Sequence, residues 1–147
     1  MIFAGLSLAC YVWAADEKLT LAFFTLSPEK IEGGRFIDTK TLPKLGHIAA
    51  KPGLVIAQLK EASLIKRAGD RPNILIVLGD KEVDQFAEFT GRNVGKIILL
   101  MLGNEPLIAP KVLEKIRTSA LQIRLSKAHD RIKILKALKR LVGKPKH

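Results

Sequence analysis

Apolar and polar positions alternate along this chain with two different periods, and the change from one to the other marks its elements. Residues 73–78, Asn-Ile-Leu-Ile-Val-Leu, are a continuous apolar run of strand length that ends at Gly79-Asp80. Beyond that break Val83, Phe86, Ala87 and Thr90 recur at three- and four-residue steps, with Asp84, Gln85, Glu88 and Arg92 on the other side. That spacing predicts an amphipathic helix over residues 80–92. Thr90-Gly91-Arg92-Asn93-Val94-Gly95-Lys96 stops the helix and feeds a second apolar run, residues 97–102, before a turn at Gly103-Asn104. The rest of the chain is organised around this block, residues 73–125.

Residues 19–26 are apolar and β-branched enough for a strand, closed by Ser27-Pro28. A loop-rich stretch follows, with a turn at Gly33-Gly34, a short strand near residues 36–39 and breaks at Pro43 and Pro52-Gly53. Residues 62–67 face residues 73–78 across a connection of hairpin type. Leu121, Ile123 and Leu125 alternate with Gln122 and Arg124, as a half-buried strand over residues 119–125 should. Ser126 is the expected N-cap of a final helix over residues 127–142, closed by Gly143. Its apolar stripe is read as Ala128, Ile132, Leu135, Leu138 and Val142, with Lys133, Lys136, Arg140 and Lys144 opposite.

The expected fold is therefore α+β. A small antiparallel or mixed sheet is drawn from residues 62–67, 73–78, 96–102 and 119–125, with both helices packed on one face in a ferredoxin-like sandwich and Phe86 and Leu135 against the sheet. Residues 54–143 form this domain, residues 19–53 a loop-rich N-terminal extension, and residues 144–147 a frayed basic tail.

At 147 residues the chain is one domain's worth, and with 48% hydrophobic and 27% charged residues it is too apolar to be disordered. No apolar run reaches the roughly 20 residues of a membrane-spanning helix. Residues 1–14 read as a signal peptide: an uncharged run of h-region length, with Val12-Trp13-Ala14 offering a cleavage site. That predicts a periplasmic or secreted protein. No Lys or Arg precedes the run, so a buried apolar strand or helix is its other reading.

Candidate chemistry is sparse. Cys10 is the sole cysteine, and His47, His129 and His147 are scattered without the spacing of a metal site. Gly33-Gly34 is followed by no Gly-Lys-Ser/Thr, and no serine sits in a Gly-x-Ser-x-Gly elbow. The sequence thus predicts no catalytic residue, no metal and no cofactor: a non-enzymatic protein. The charge is one-sided, since 12 of the 25 Lys and Arg lie in residues 111–147 against only Glu114 and Asp130, a local net of +10 out of +11. A solvated helix face accounts for such a run, as does contact with anionic lipid or an acidic protein through Lys133, Lys136, Arg140 and Lys144. Nucleic acid is the weaker candidate, because Phe86 and Phe89 belong to the helix, Phe23, Phe24 and Phe36 fall in apolar runs and the one Trp and one Tyr lie in the leader, leaving no stacking platform.

The segment from Thr90 through Asn93, Gly95 and Lys96, the apolar run after it, the turn and Ala109-Pro110 together resemble the head subdomain of the first periplasmic domain of SecD, the protein-translocation accessory subunit. The similarity extends over roughly residues 46–142. Gly103-Asn104 stands in place of an Asp-Gly turn, Ile108 in place of a serine, Thr118-Ser119 in place of a glycine pair, and Arg124 in place of a glycine. The resemblance implies a stand-alone relative of the head: an α+β module of the cell envelope that binds protein, meets unfolded or exported chains, and needs no cofactor.

Overall fold

A strand buried on both faces needs cover on both, whereas one buried on alternate residues needs a single layer, and this difference sorts the chain into its sheets. The computed structural model describes residues 19–37, 46–66, 72–126 and 129–143. In chain order the elements are β1 (Leu21–Leu26), β2 (Arg35–Ile37), β3 (Gly46–Ile48), β4 (Leu54–Ile56), β5 (Glu61–Ile65), β6 (Asn73–Val77), helix α1 (Asp80–Arg92), β7 (Ile97–Leu102), β8 (Glu105–Ile108), β9 (Ala120–Ile123) and helix α2 (Arg131–Lys139). The predicted leader over residues 1–14 and the basic tail over residues 144–147 lie outside the described residues.

The α+β class and the antiparallel pairing are as expected, but the four strands anticipated in one sheet divide between two. β5, β6 and β9 form one sheet in that order, and β4, β1, β7 and β8 form another. The reason lies in β7. Ile98, Leu100 and Leu102 point into the main core, while Leu99 and Met101 point the other way into a second apolar cluster with Phe24, Leu26, Ile37 and Ile48. Such a strand belongs inside a sheet covered on both sides. It pairs along its whole length with β1, Leu21 opposite Leu102 through Leu26 opposite Ile97. The β2–β3 hairpin supplies Ile37 and Ile48 to cover the second face. Residues 19–53, expected as an extension, thus contribute a strand lying between β4 and β7, and the boundary drawn at residue 54 runs through one sheet.

Helix α1 has the predicted span. Asp80 and Glu82 lie in its first turn and Arg92 in its last, each favourable to the helix dipole. Its apolar stripe packs Phe86 and Phe89 on Phe23 of β1, at ring-centroid distances of 5.3 and 5.9 Å. Gly53 is needed at this contact, since a Cβ there would lie 2.5 Å from the Phe89 ring. The β7–β8 turn places Gly103 at φ 59° with no positive φ at Asn104, the pattern of a hairpin turn with glycine in its first central position.

Helix α2 is shorter than expected and differently rotated. Asp130, not Ser126, caps it, accepting from the Lys133 amide at 3.1 Å. Ser126 is engaged instead by the His129 ring, whose Nδ1 lies 3.2 Å from the Ser126 amide nitrogen and 2.9 Å from its hydroxyl. Ile134, Leu138 and Leu141 are the buried positions, Leu135 is half-buried, and Ile132, assigned to the buried stripe from sequence, is 56% exposed. The inward residues meet Ala62, Ile74, Ile76 and Ile123 on one face of the β5–β6–β9 sheet. The other face of that sheet, with Ser63, Leu75, Val77 and Gln122, is half-buried or exposed.

Candidate functional site

Thr90, Asn93, Gly95, Lys96, Ala109 and Pro110 are brought together where α1 ends and β7 begins, and hydrogen bonding explains the pattern. Thr90 is fully buried. Its hydroxyl lies 3.0 Å from the Phe86 carbonyl and accepts from the Ile116 amide at 2.9 Å, tying the last turn of the helix to the segment after β8. Asn93 donates from Nδ2 to the Phe89 carbonyl at 2.7 Å, satisfying a group the helix terminus leaves open, and its Oδ1 accepts from the Thr25 hydroxyl of β1 at 2.6 Å. Gly95 turns the chain at φ 85°, a conformation that penalises any Cβ, and its amide donates to Val112 at 2.7 Å. Lys96 and Pro110 take part through their backbones: the Lys96 carbonyl accepts from Val112 at 2.8 Å, and the Pro110 carbonyl accepts from Ile98 at 2.9 Å. Ala109 packs against the second apolar cluster. The motif is a latch joining a helix, two strands and a loop; the side-chain polar atoms of Thr90 and Asn93 are consumed by the fold, while Lys96 is exposed. An open cleft of about 400 Å³ beside it, bounded by Thr25, Ser27, Pro28, Gly95 and Lys96, brings together no acid–base or nucleophile–base pair.

Among the described residues no group of three or more His, Cys, Asp or Glu lies together, and no helix is long and apolar enough to cross a membrane. His129 is buried and structural: with Nδ1 accepting from the Ser126 amide, Nε2 carries the proton and donates to the Pro106 carbonyl at 2.9 Å, linking the entry of α2 to β8. Arg131 reinforces the same junction, donating to the carbonyls of Pro72 at 2.9 Å and Leu125 at 3.0 Å.

Lys133, Lys136 and Arg140 are exposed on or at the end of α2, joined by Lys139; Lys144 lies outside the described residues. The ion pairs among the described residues, Glu88 with Arg92 and Asp84 with Arg117, involve α1 and leave the cations of α2 without a carboxylate partner there.

One surface the sequence reading did not single out is the outer edge of β9. The Leu78 amide donates to the Ser119 carbonyl at 2.7 Å, which sets the phase of the β6–β9 ladder: the pairs Ile76–Leu121 and Ile74–Ile123 exchange hydrogen bonds, and Ala120 and Gln122 point theirs away from β6. The Thr118 hydroxyl caps both outward groups of Ala120, each at 3.3 Å. Gln122 is left presenting an amide and a carbonyl at an edge to which no described strand adds. Alternation over residues 119–125 carried the signal for a strand but none for its place in the sheet.

No family model and no curated protein matches the sequence. The fold is similar to solved structures of SecDF. One, described as a membrane component that enhances protein export, has a TM-score of 0.59 and 16% identity, over 89% of this chain and 64% of that one. SecDF in a super-membrane-facing form gives 0.58 and 17%, over 86% of this chain and 19% of that one. SecDF from Thermus thermophilus, described as a translocon-associated membrane protein, gives 0.55 and 16%, over 93% and 21%. The fold likeness agrees with the resemblance to the SecD head carried by residues 90–110, while the chain spans under two thirds of the first of these proteins and about a fifth of the others.

Proposed function

We propose that this chain is a non-catalytic, exported domain of the bacterial envelope that binds polypeptide in the course of protein export. The observation that carries the reading is the fold likeness to SecDF across 89% of the chain, to a protein described as enhancing protein export. The apolar leader over residues 1–14 supports a periplasmic or secreted location. The absence of an acid–base or nucleophile set among the described residues favours binding over catalysis. The edge of β9 offers the means: an extended segment adds beside Gln122 through main-chain hydrogen bonds, which are indifferent to side-chain identity and suit a partner that is not yet folded.

The test is fluorescence anisotropy with a labelled peptide of about ten alternating Val and Thr residues, against a control with proline at every second position. Binding should persist from about 50 to about 500 mM salt, since main-chain pairing is weakly screened. Gln122→Pro removes the outward amide, to which no described strand pairs, and should weaken binding at least about tenfold with unchanged circular dichroism. Equal binding by both proteins, or by both peptides, overturns edge pairing. A second reading, contact with an anionic surface, rests on the separate observation that the cations of α2 have no carboxylate partner among the described residues.

A further inference from the structure

We infer that the outer face of α2 docks on an anionic bilayer, with Ile132 entering the interfacial layer beside the cations that follow it along the helix. The inference deepens the second reading above and rests on it. At about 100° per residue Ile132 lies about 40° from Lys136, about 20° from Lys139 and about 80° from Arg140, so the isoleucine stands on the outward side of the helix near its N-terminal end, with these cations following it toward the C-terminus. The buried residues Ile134, Leu138 and Leu141 lie on the opposite side, and Ile132 is 56% exposed. Folding has no use for it there. A single exposed isoleucine on a protein surface is ordinary, but one on the same outward face as a run of cations has the layout of an interfacial helix, apolar residue inward to the bilayer and lysines reaching to the headgroups.

Among the described residues no carboxylate pairs with the cations of this face. Asp130, the acid at the helix start, accepts from the Lys133 amide, and both ion pairs among the described residues take their carboxylate from α1. An acidic peptide would satisfy the cations and leave Ile132 idle; a headgroup layer over hydrocarbon uses both.

Co-sedimentation of the full chain with vesicles of phosphatidylglycerol and phosphatidylcholine and with pure phosphatidylcholine vesicles, together with fluorescence anisotropy of labelled soluble polyglutamate, separates the terms. Each cation near an anionic surface contributes about fivefold in binding, so Lys136→Glu with Arg140→Glu should cost at least about thirtyfold on the anionic vesicles and abolish polyglutamate binding. Ile132→Ser should lower vesicle binding about fivefold and leave polyglutamate binding unchanged, because only a bilayer has an apolar layer for it to enter. Circular dichroism checks that each variant is folded. If Ile132→Ser binds the anionic vesicles as the parent does, bilayer docking is overturned while charge contact survives. If the charge reversals also change nothing, the anionic-surface reading falls with it. Equal binding to pure phosphatidylcholine overturns both.

Discussion

The hydrogen bond between Thr25 and Asn93 joins β1 to the end of α1 across 68 residues of sequence, at 2.6 Å. Replacing Asn93 by leucine, of similar shape, strands two groups: the Phe89 carbonyl loses its donor at 2.7 Å, and the Thr25 hydroxyl loses its acceptor. Asn93 is only 7% exposed, so water replaces little of this, and the expected cost is about 2–3 kcal/mol. Thr25→Val leaves the Asn93 oxygen without its donor at a half-buried position, for about 1 kcal/mol. The double variant removes both partners and leaves two apolar side chains facing each other. It should therefore cost about 1 kcal/mol less than the sum of the singles. Urea denaturation of the four proteins at equal m-value measures the coupling, and thermal melting should show the asparagine variant about 6–10 °C lower for a chain of this size. Additivity within about 0.3 kcal/mol would refute the latch, since side chains that do not bond do not couple.

The rotation of α2 makes its own ranking. Leu138→Ala, at a fully buried position, should cost about 3 kcal/mol, Leu135→Ala about 1 kcal/mol, and Ile132→Ala less than about 0.5 kcal/mol by denaturant titration; a large loss at Ile132 would return it to the core. In its neutral form the His129 ring should show the Nε2–H tautomer in a long-range ¹H–¹⁵N correlation, and His129→Ala should cost about 1–3 kcal/mol by leaving the Ser126 amide and the Pro106 carbonyl unpaired. An Nδ1-protonated ring would contradict the assigned bonds.

Elements set by local period were readable from the chain. Helix α1 was read with its observed ends, because an apolar stripe of period 3.6 sits between Gly79 and the Asn93–Gly95 turn. The strands at residues 73–77 and 120–123, the hairpin pairing of β5 with β6 and the Gly103 turn were legible for the same reason. Helix α2 was read too long and out of phase, because Ser126 looks as good a cap as Asp130 until His129 claims it, and because Ile132 and Ile134 are equivalent in composition. Of the candidate site residues, the lysine face was visible as charge, and the motif residues were recognisable as a pattern, though nothing in the pattern says that the side chains of Thr90 and Asn93 are consumed by the fold.

The apolar period of the chain by itself determined which residues become helix or strand, since that choice depends on neighbours three or four positions away. Which strands share a sheet, which edge stays open and which side of α2 faces water were decided only by tertiary structure. β7 lies beside β1, more than 70 positions upstream, in a sheet covered on both faces because its own two faces are apolar, and the second cover comes from Ile37 and Ile48, about 50–65 positions upstream. The outward amide of Gln122 and the outward Ile132 follow from it: each is what remains after long-range burial has taken the positions it can use.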